Sequence, residues 1–112
     1  MISRAGAATK LVELFDSPIL RAFLEPSRLE VLRVVMVRGE ADIATIADDL
    51  PQDRSVISRH LKVLQDAQIV TRRRDGRRAV YEINGMHFLD ELQGIVDEAK
   101  ALVPQCCPPR VE

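Results

Sequence analysis

The two cysteines of the chain, Cys106 and Cys107, are adjacent and lie between Pro104 and the Pro108-Pro109 pair. Thiolates are soft ligands that suit thiophilic centres, and the same sulfurs can be oxidised or bridged between subunits. A disulfide between sequence neighbours would close a small strained ring, and a reducing compartment opposes it, so the pair is expected as thiols. As a catalytic centre the pair is poor. A proline-rich segment gives it no strand-to-helix support and no paired base, so a thiol oxidoreductase is set aside and no enzymatic activity is expected. An appendage without a role is the bland alternative.

The second chemistry is electrostatic. From Arg54 to Arg78 stand eight basic residues (Arg54, Arg59, Lys62, Arg72, Arg73, Arg74, Arg77, Arg78) against Asp66 and Asp75, in a chain whose net charge is −1. Basic charge concentrated in an otherwise acidic chain is a footprint for a polyanion, although a charged solvated face would leave the same pattern. Ser55, Ser58, Arg59 and Lys62 recur at i, i+3, i+4 and i+7, opposite Ile57, Leu61 and Leu64. On a helix this separates a hydrogen-bonding, cationic face from an apolar one.

These residues need elements to position them. Asp53 is expected to cap the helix that carries them, to about Ala67. Before it, Asp42 is expected to cap a short helix with Ile43, Ile46, Ala47 and Leu50 on one face, ended by Pro51. Two helices joined by a short turn, the second with a polar outer face, form a helix-turn-helix. From Ile69 the period becomes that of strands, and Asp75-Gly76 between IVTRRR and RRAVYEI predicts a type I′ hairpin. Arginines crowd its tip, which is repulsive in isolation and favourable beside phosphates.

Upstream, Ala8, Leu11, Val12 and Phe15 predict a first helix that Asp16-Ser17-Pro18 interrupts before Ile19 to Leu24 resumes. Pro26 opens another helix with a stripe of Leu29, Leu32 and Met36, stopped by Gly39. From about Met86 the last helix carries Phe88, Leu92, Ile95, Ala99 and Leu102 on one line and Leu89, Val96 and Val103 on a second. That stripe is wider than a small core needs, and a chain of 112 residues gains by burying it against a second copy. The expected class is mainly α with a β-hairpin wing, a winged helix-turn-helix dimerising through its first and last helices. Residues 1–103 would form the DNA-binding and dimerisation domain and 104–112 a cysteine-containing tail. No apolar stretch reaches the length of a bilayer span, and MISRAGAATK lacks the apolar core of a signal peptide, so a cytoplasmic location and no membrane contact are expected.

The segment from Arg28 to Asn84, above all SVISRHLKVLQDAQIV followed by the basic DG hairpin and VYEI, resembles the core of ArsR/SmtB repressors. The resemblance extends over roughly Leu20 to Leu102. It implies a winged-helix homodimer that binds a double-stranded operator of twofold symmetry and releases it when an inducer binds. Carried onto this chain, the family's recognition helix falls on Asp53 to Ala67, which makes Arg54, Ser55, Ser58, Arg59, His60 and Lys62 candidate DNA contacts. Arg59 is the first choice for a guanine edge, because guanidinium offers two parallel donors. Arg73, Arg74, Arg77 and Arg78 on the wing would meet phosphates. His60 has an alternative role as a partly buried packing histidine. A dimeric interaction module without DNA binding is the reading of another class.

The departures from the family concern sensing. Where many members carry Cys-Val-Cys on the third helix, this chain has Asp42, Ile43 and Ala44. Others bind zinc through paired histidines and carboxylates on the last helix. Here His87, Asp90, Asp97 and Glu98 come without a second histidine, so no such site is expected. Cys106 and Cys107 resemble instead the C-terminal cysteines through which some members sense trivalent arsenicals. Two thiols would satisfy a monomethyl arsenical, whereas arsenite favours three sulfurs. No cofactor is expected to be required, with an arsenic(III) species as inducer. A redox or reactive-sulfur sensor of the same fold is the alternative.

Overall fold

The computed structural model describes residues 2–108. Pro109 and the rest of the expected tail lie outside the described residues. Six helices and three short strands follow in the order α1 (Arg4–Phe15), α2 (Pro18–Ala22), α3 (Pro26–Arg38), β1 (Glu40–Ala41), α4 (Ile43–Asp48), α5 (Arg54–Asp66), β2 (Val70–Asp75), β3 (Arg78–Ile83) and α6 (Gly85–Cys106).

Short polar side chains start the helices before the chain turns apolar. The Ser3 hydroxyl accepts from Gly6 N, that of Ser17 accepts from Leu20 N, and the Asp42 carboxylate accepts from Thr45 N at 2.8 Å. Each supplies a partner to an amide that the first helical turn leaves unbonded. Asp53 stands at the expected cap position of α5 but makes no side-chain capping bond. Gly39 ends α3 at φ +80°, a conformation that a side chain would resist.

The core forms where α3, α4 and α5 meet the sheet. Val31, Val35, Ile46, Ile57, Leu61, Leu64, Ile69 and Val70 are fully buried there. The expected α3 stripe needs correction: Leu29 is 39% exposed and Met36 49%, and Leu32 keeps its place with Val31, Val34 and Val35 beside it. The rotation follows from packing, because the β-branched side chains give α3 a flatter face against α5 and β3 than the longer residues would.

The sheet runs antiparallel in the order β1-β3-β2. β1 was not foreseen; two residues leave too short a pattern to read. The hairpin turn is also shifted one residue along the chain from the expected position. Asp75 pairs with Arg78 across the ladder, so Gly76 and Arg77 form the turn, with Gly76 at φ +63° and Arg77 outside the positive-φ region. That is the pattern of a type II′ turn, with glycine at its first central position, and not of type I′.

α6 packs Phe88, Leu92 and Ile95 onto the core, with Phe88 edge-on to Phe23 at 6.1 Å between ring centroids. Beyond Ile95 it leaves the core and runs alongside α1, giving a molecule of 59 × 25 × 23 Å. The helix continues through Pro104 to Cys106, three residues past the expected boundary at 103. Proline removes one amide from the helical ladder without ending the helix, because the last turn is held from outside by α1. No helix among the described residues is long and apolar enough to cross a membrane.

Candidate nucleic-acid interface and thiol pair

α4 and α5, joined by a five-residue turn, build the helix-turn-helix. Burial of Ile57, Leu61 and Leu64 fixes which way α5 faces, and Arg54, Ser55, Ser58, Arg59 and Lys62 are exposed on the other side. Lys62 holds Asp66 one turn on at 2.9 Å. Both partners are exposed, so this pair is weak and a phosphate can replace the carboxylate. His60 does not join that face. It is 9% exposed, with Nε2 2.9 Å from the Ser27 hydroxyl, because its position falls beside Leu61 and Leu64 on the inner side. His60 as a DNA contact is therefore corrected to His60 as a buried packing residue.

The wing divides its arginines. Arg73 pairs with Glu40 on β1 and lies 3.9 Å from Glu82, and Arg78 Nε donates to Asp42 at 2.8 Å. Hydrogen bonds from Thr45 and Arg78 hold the Asp42 carboxyl at about 2, below the usual carboxylate value. Arg74 and Arg77 are exposed and, with Arg54 and Arg59, make no ion pair among the described residues. The positive face open to a polyanion is therefore smaller than the count of basic residues implies. It is made by α5 and the hairpin tip. The Glu40 and Asp42 ties had no sequence signal beyond the cap, since strand register sets both.

At the far end of the molecule, Cys106 is buried, Cys107 is exposed, and both are free. Their sulfurs lie 3.0 Å apart. The hydrogen bond to Cys107, together with burial, pushes the Cys106 thiol above its ordinary value. Arg4 Nε, on α1, donates to the Cys106 carbonyl at 2.9 Å, a contact 102 residues apart in sequence that no local pattern announces. Two sulfurs at this separation can close on one thiophilic atom without unwinding the helix. His87, Asp90, Asp97 and Glu98 do not converge: His87 lies 3.1 Å from Glu91 on its own helix, and Asp97 accepts from Gln93 at 2.9 Å. Among the described residues no three His, Cys, Asp or Glu side chains gather as a metal site.

A family model described as HVO_A0114 matches residues 23–85. The arsenical resistance operon repressor of Staphylococcus xylosus is 32% identical over 81 residues, covering 72% of this chain and 76% of the relative. A solved structure described as a possible transcriptional regulator for arsenical resistance is 28% identical, with a TM-score of 0.52 over 91% of this chain and 97% of that one. The homodimeric winged helix-turn-helix DNA-binding domain of a possible ArsR-family regulator from Mycobacterium bovis shares the fold, with a TM-score of 0.58, 23% identity and 92% of each chain covered.

Proposed function

The chain belongs to the ArsR family of winged helix-turn-helix transcriptional regulators, and from that premise we propose that it is a homodimeric repressor released from its operator by a trivalent arsenical bound at Cys106 and Cys107. It is a DNA-binding regulator and not an enzyme.

DNA binding uses the open cationic face. Arg59, flanked by Ser55 and Ser58, reads base edges from α5, Arg54 and Lys62 meet the backbone beside it, and Arg74 and Arg77 meet phosphates from the wing. Arg73 and Arg78 act there mainly by holding the hairpin to β1 and α4. Dimerisation covers the apolar residues that a lone chain leaves exposed on α1 and α6, Val12, Phe15, Leu89, Val96 and Val103. Next to them Phe15, Val96, Ala99 and Val103 line an apolar cavity of about 360 Å³. A twofold dimer presents two α5 helices, which implies an operator of twofold symmetry. Residues 1–103 would carry binding and assembly, and 104–112 sensing.

The observation that carries the sensing part is the pair of free thiols 3.0 Å apart. Methylarsenite has two exchangeable hydroxyls. Each thiol gives its proton to one of them, two As–S bonds form and two waters leave. Arsenite retains a third hydroxyl that this pair leaves unexchanged, and zinc would have half of its tetrahedral shell unfilled. Because Arg4 on α1 holds the Cys106 carbonyl, binding at the pair bears on the α1–α6 contact, and a shape with lower DNA affinity can be favoured in this way.

The test is displacement of a labelled duplex by methylarsenite, arsenite, zinc and peroxide, followed by fluorescence anisotropy. Methylarsenite is expected to act at the lowest concentration. Cys106→Ser and Cys107→Ser should bind DNA and resist release. Release of either mutant at the wild-type methylarsenite concentration removes the pair from sensing, and release by peroxide alone assigns it to redox sensing.

A further inference from the structure

Ser27, in the first turn of α3, touches the helix-turn-helix at two places. Its carbonyl accepts from Gln52 Nε2 at 3.1 Å, in the turn that leads into α5. Its hydroxyl lies 2.9 Å from His60 Nε2, two turns along α5, and also donates to Glu25 Oε1 at 3.0 Å. A hydroxyl has one proton. With that proton on Glu25, the Ser27 oxygen accepts from His60, which places the imidazole proton on Nε2 and leaves Nδ1 without a partner among the described residues. His60 is the polar side chain in an otherwise apolar buried set.

Apolar burial sets which face of α5 turns inward, but it is non-directional and tolerates small rolls and slides. Hydrogen bonds are directional. Two of them, at the entry of α5 and at its middle, fix its roll about the N-terminus of α3. We propose that His60, held by Ser27 and Glu25, is a positioning residue for sequence recognition: it sets the roll that aims Ser55, Ser58 and Arg59 at base edges.

The holding form is the neutral imidazole. Burial first, then Arg28 on α3 and Arg59 on α5, lower the tendency of His60 to take a second proton, against Glu25 before α3, which raises it. Protonation would add a cation between two guanidiniums, with Glu25 alone to offset it. The clamp is therefore intact above the ordinary histidine value of 6.5 and weakens as pH falls below it toward the lowered value.

The experiment uses the full chain, a duplex that the wild-type protein has selected from a random-sequence pool, and a scrambled duplex of equal length. His60→Leu and Ser27→Ala should each weaken binding to the selected duplex about tenfold, the scale of one lost hydrogen bond, with little change on the scrambled one. The double mutant should be no worse than either single mutant, because both remove one interaction. His60→Gln keeps an N–H near the position of Nε2 and does not titrate. It should bind the selected duplex within about threefold of wild type and show no loss as pH falls below the ordinary histidine value of 6.5, where wild type weakens. Wild-type affinity in His60→Leu, equal losses on both duplexes, or additive losses in the double mutant would each overturn the proposal. Should His60→Leu not fold, Ser27→Ala and His60→Gln decide it by the same two readouts.

Discussion

Arg78 Nε donates to Asp42 Oδ2 at 2.8 Å, while Oδ1 of the same carboxylate caps α4 at Thr45 N, also at 2.8 Å. One side chain thus ties the wing to the first helix of the helix-turn-helix.

Asp42→Ala should destabilise the chain by roughly 0.5 to 2 kcal/mol, the usual range for a lost N-cap, measured by urea unfolding. Arg78 is exposed, so the ion pair contributes little to that figure. Asp42→Asn retains an acceptor for Thr45 and should recover most of the stability. Because the Asp42 carboxyl is lowered to about 2, its contribution is complete above the ordinary 3.8 and is lost as pH falls toward that lower value. Unfolding that is equally acid-sensitive in wild type and Asp42→Asn would count against this assignment.

Val96 and Leu92 lie one helical turn apart on α6, yet they should respond differently to charge. Leu92 packs on the core whereas Val96 is exposed on the arm. Val96→Glu is expected to give a folded monomer by light scattering and circular dichroism, and Leu92→Glu an unstable chain, since it buries an unpaired carboxylate. A dimeric Val96→Glu protein would mean that the interface lies elsewhere.

Three arginines should separate into three behaviours. Arg59→Ala should cost about 1 to 3 kcal/mol on the selected duplex and relax base choice, read by competition with single-base variants. Arg77→Ala should weaken every sequence and flatten the salt dependence by about one unit of slope. Arg73→Ala should change the slope less than Arg77→Ala, because its guanidinium is already engaged by Glu40.

Cys107 should be alkylated by iodoacetamide before Cys106, followed by mass spectrometry near neutral pH. Cys106 is buried and its thiol is raised, so it offers less thiolate to the reagent. Arg4→Ala removes the bond to the Cys106 carbonyl and should narrow the difference. Equal rates in the wild type would show that the last turn of α6 is open in solution.

The long periodic elements were legible because a face buried along its whole length leaves its spacing in the sequence. Ile57, Leu61 and Leu64 placed α5 and its outward residues, and the strand period after Ile69 placed the hairpin. What escaped depended on register or on distant partners. Leu29 and Met36 fit a helical stripe as well as Val31 and Val35 do, and only packing against α5 and β3 chooses between them. Asp75 lies in β2 because the turn centres on Gly76 and Arg77, one residue later than the Asp-Gly signal suggests, which changes the register of the whole ladder. His60 shares the α5 segment with its exposed polar neighbours, and its inward direction became specific through Ser27, 33 residues earlier. Pro104 reads locally as a stop, and contact with α1 overrides it.

That contact joins Arg4 to Cys106 across 102 residues. Contacts so far apart in sequence form late, after the local ones have released their free energy. During synthesis the helix-turn-helix and wing can therefore fold while α1, made first, waits with Ala7, Leu11 and Leu14 uncovered until α6 has emerged. A nascent chain would hold a finished recognition element and an unfinished arm. The apolar side of α1 would then be the surface that a chaperone meets, and assembly would be timed by the appearance of the same residues that carry the thiols.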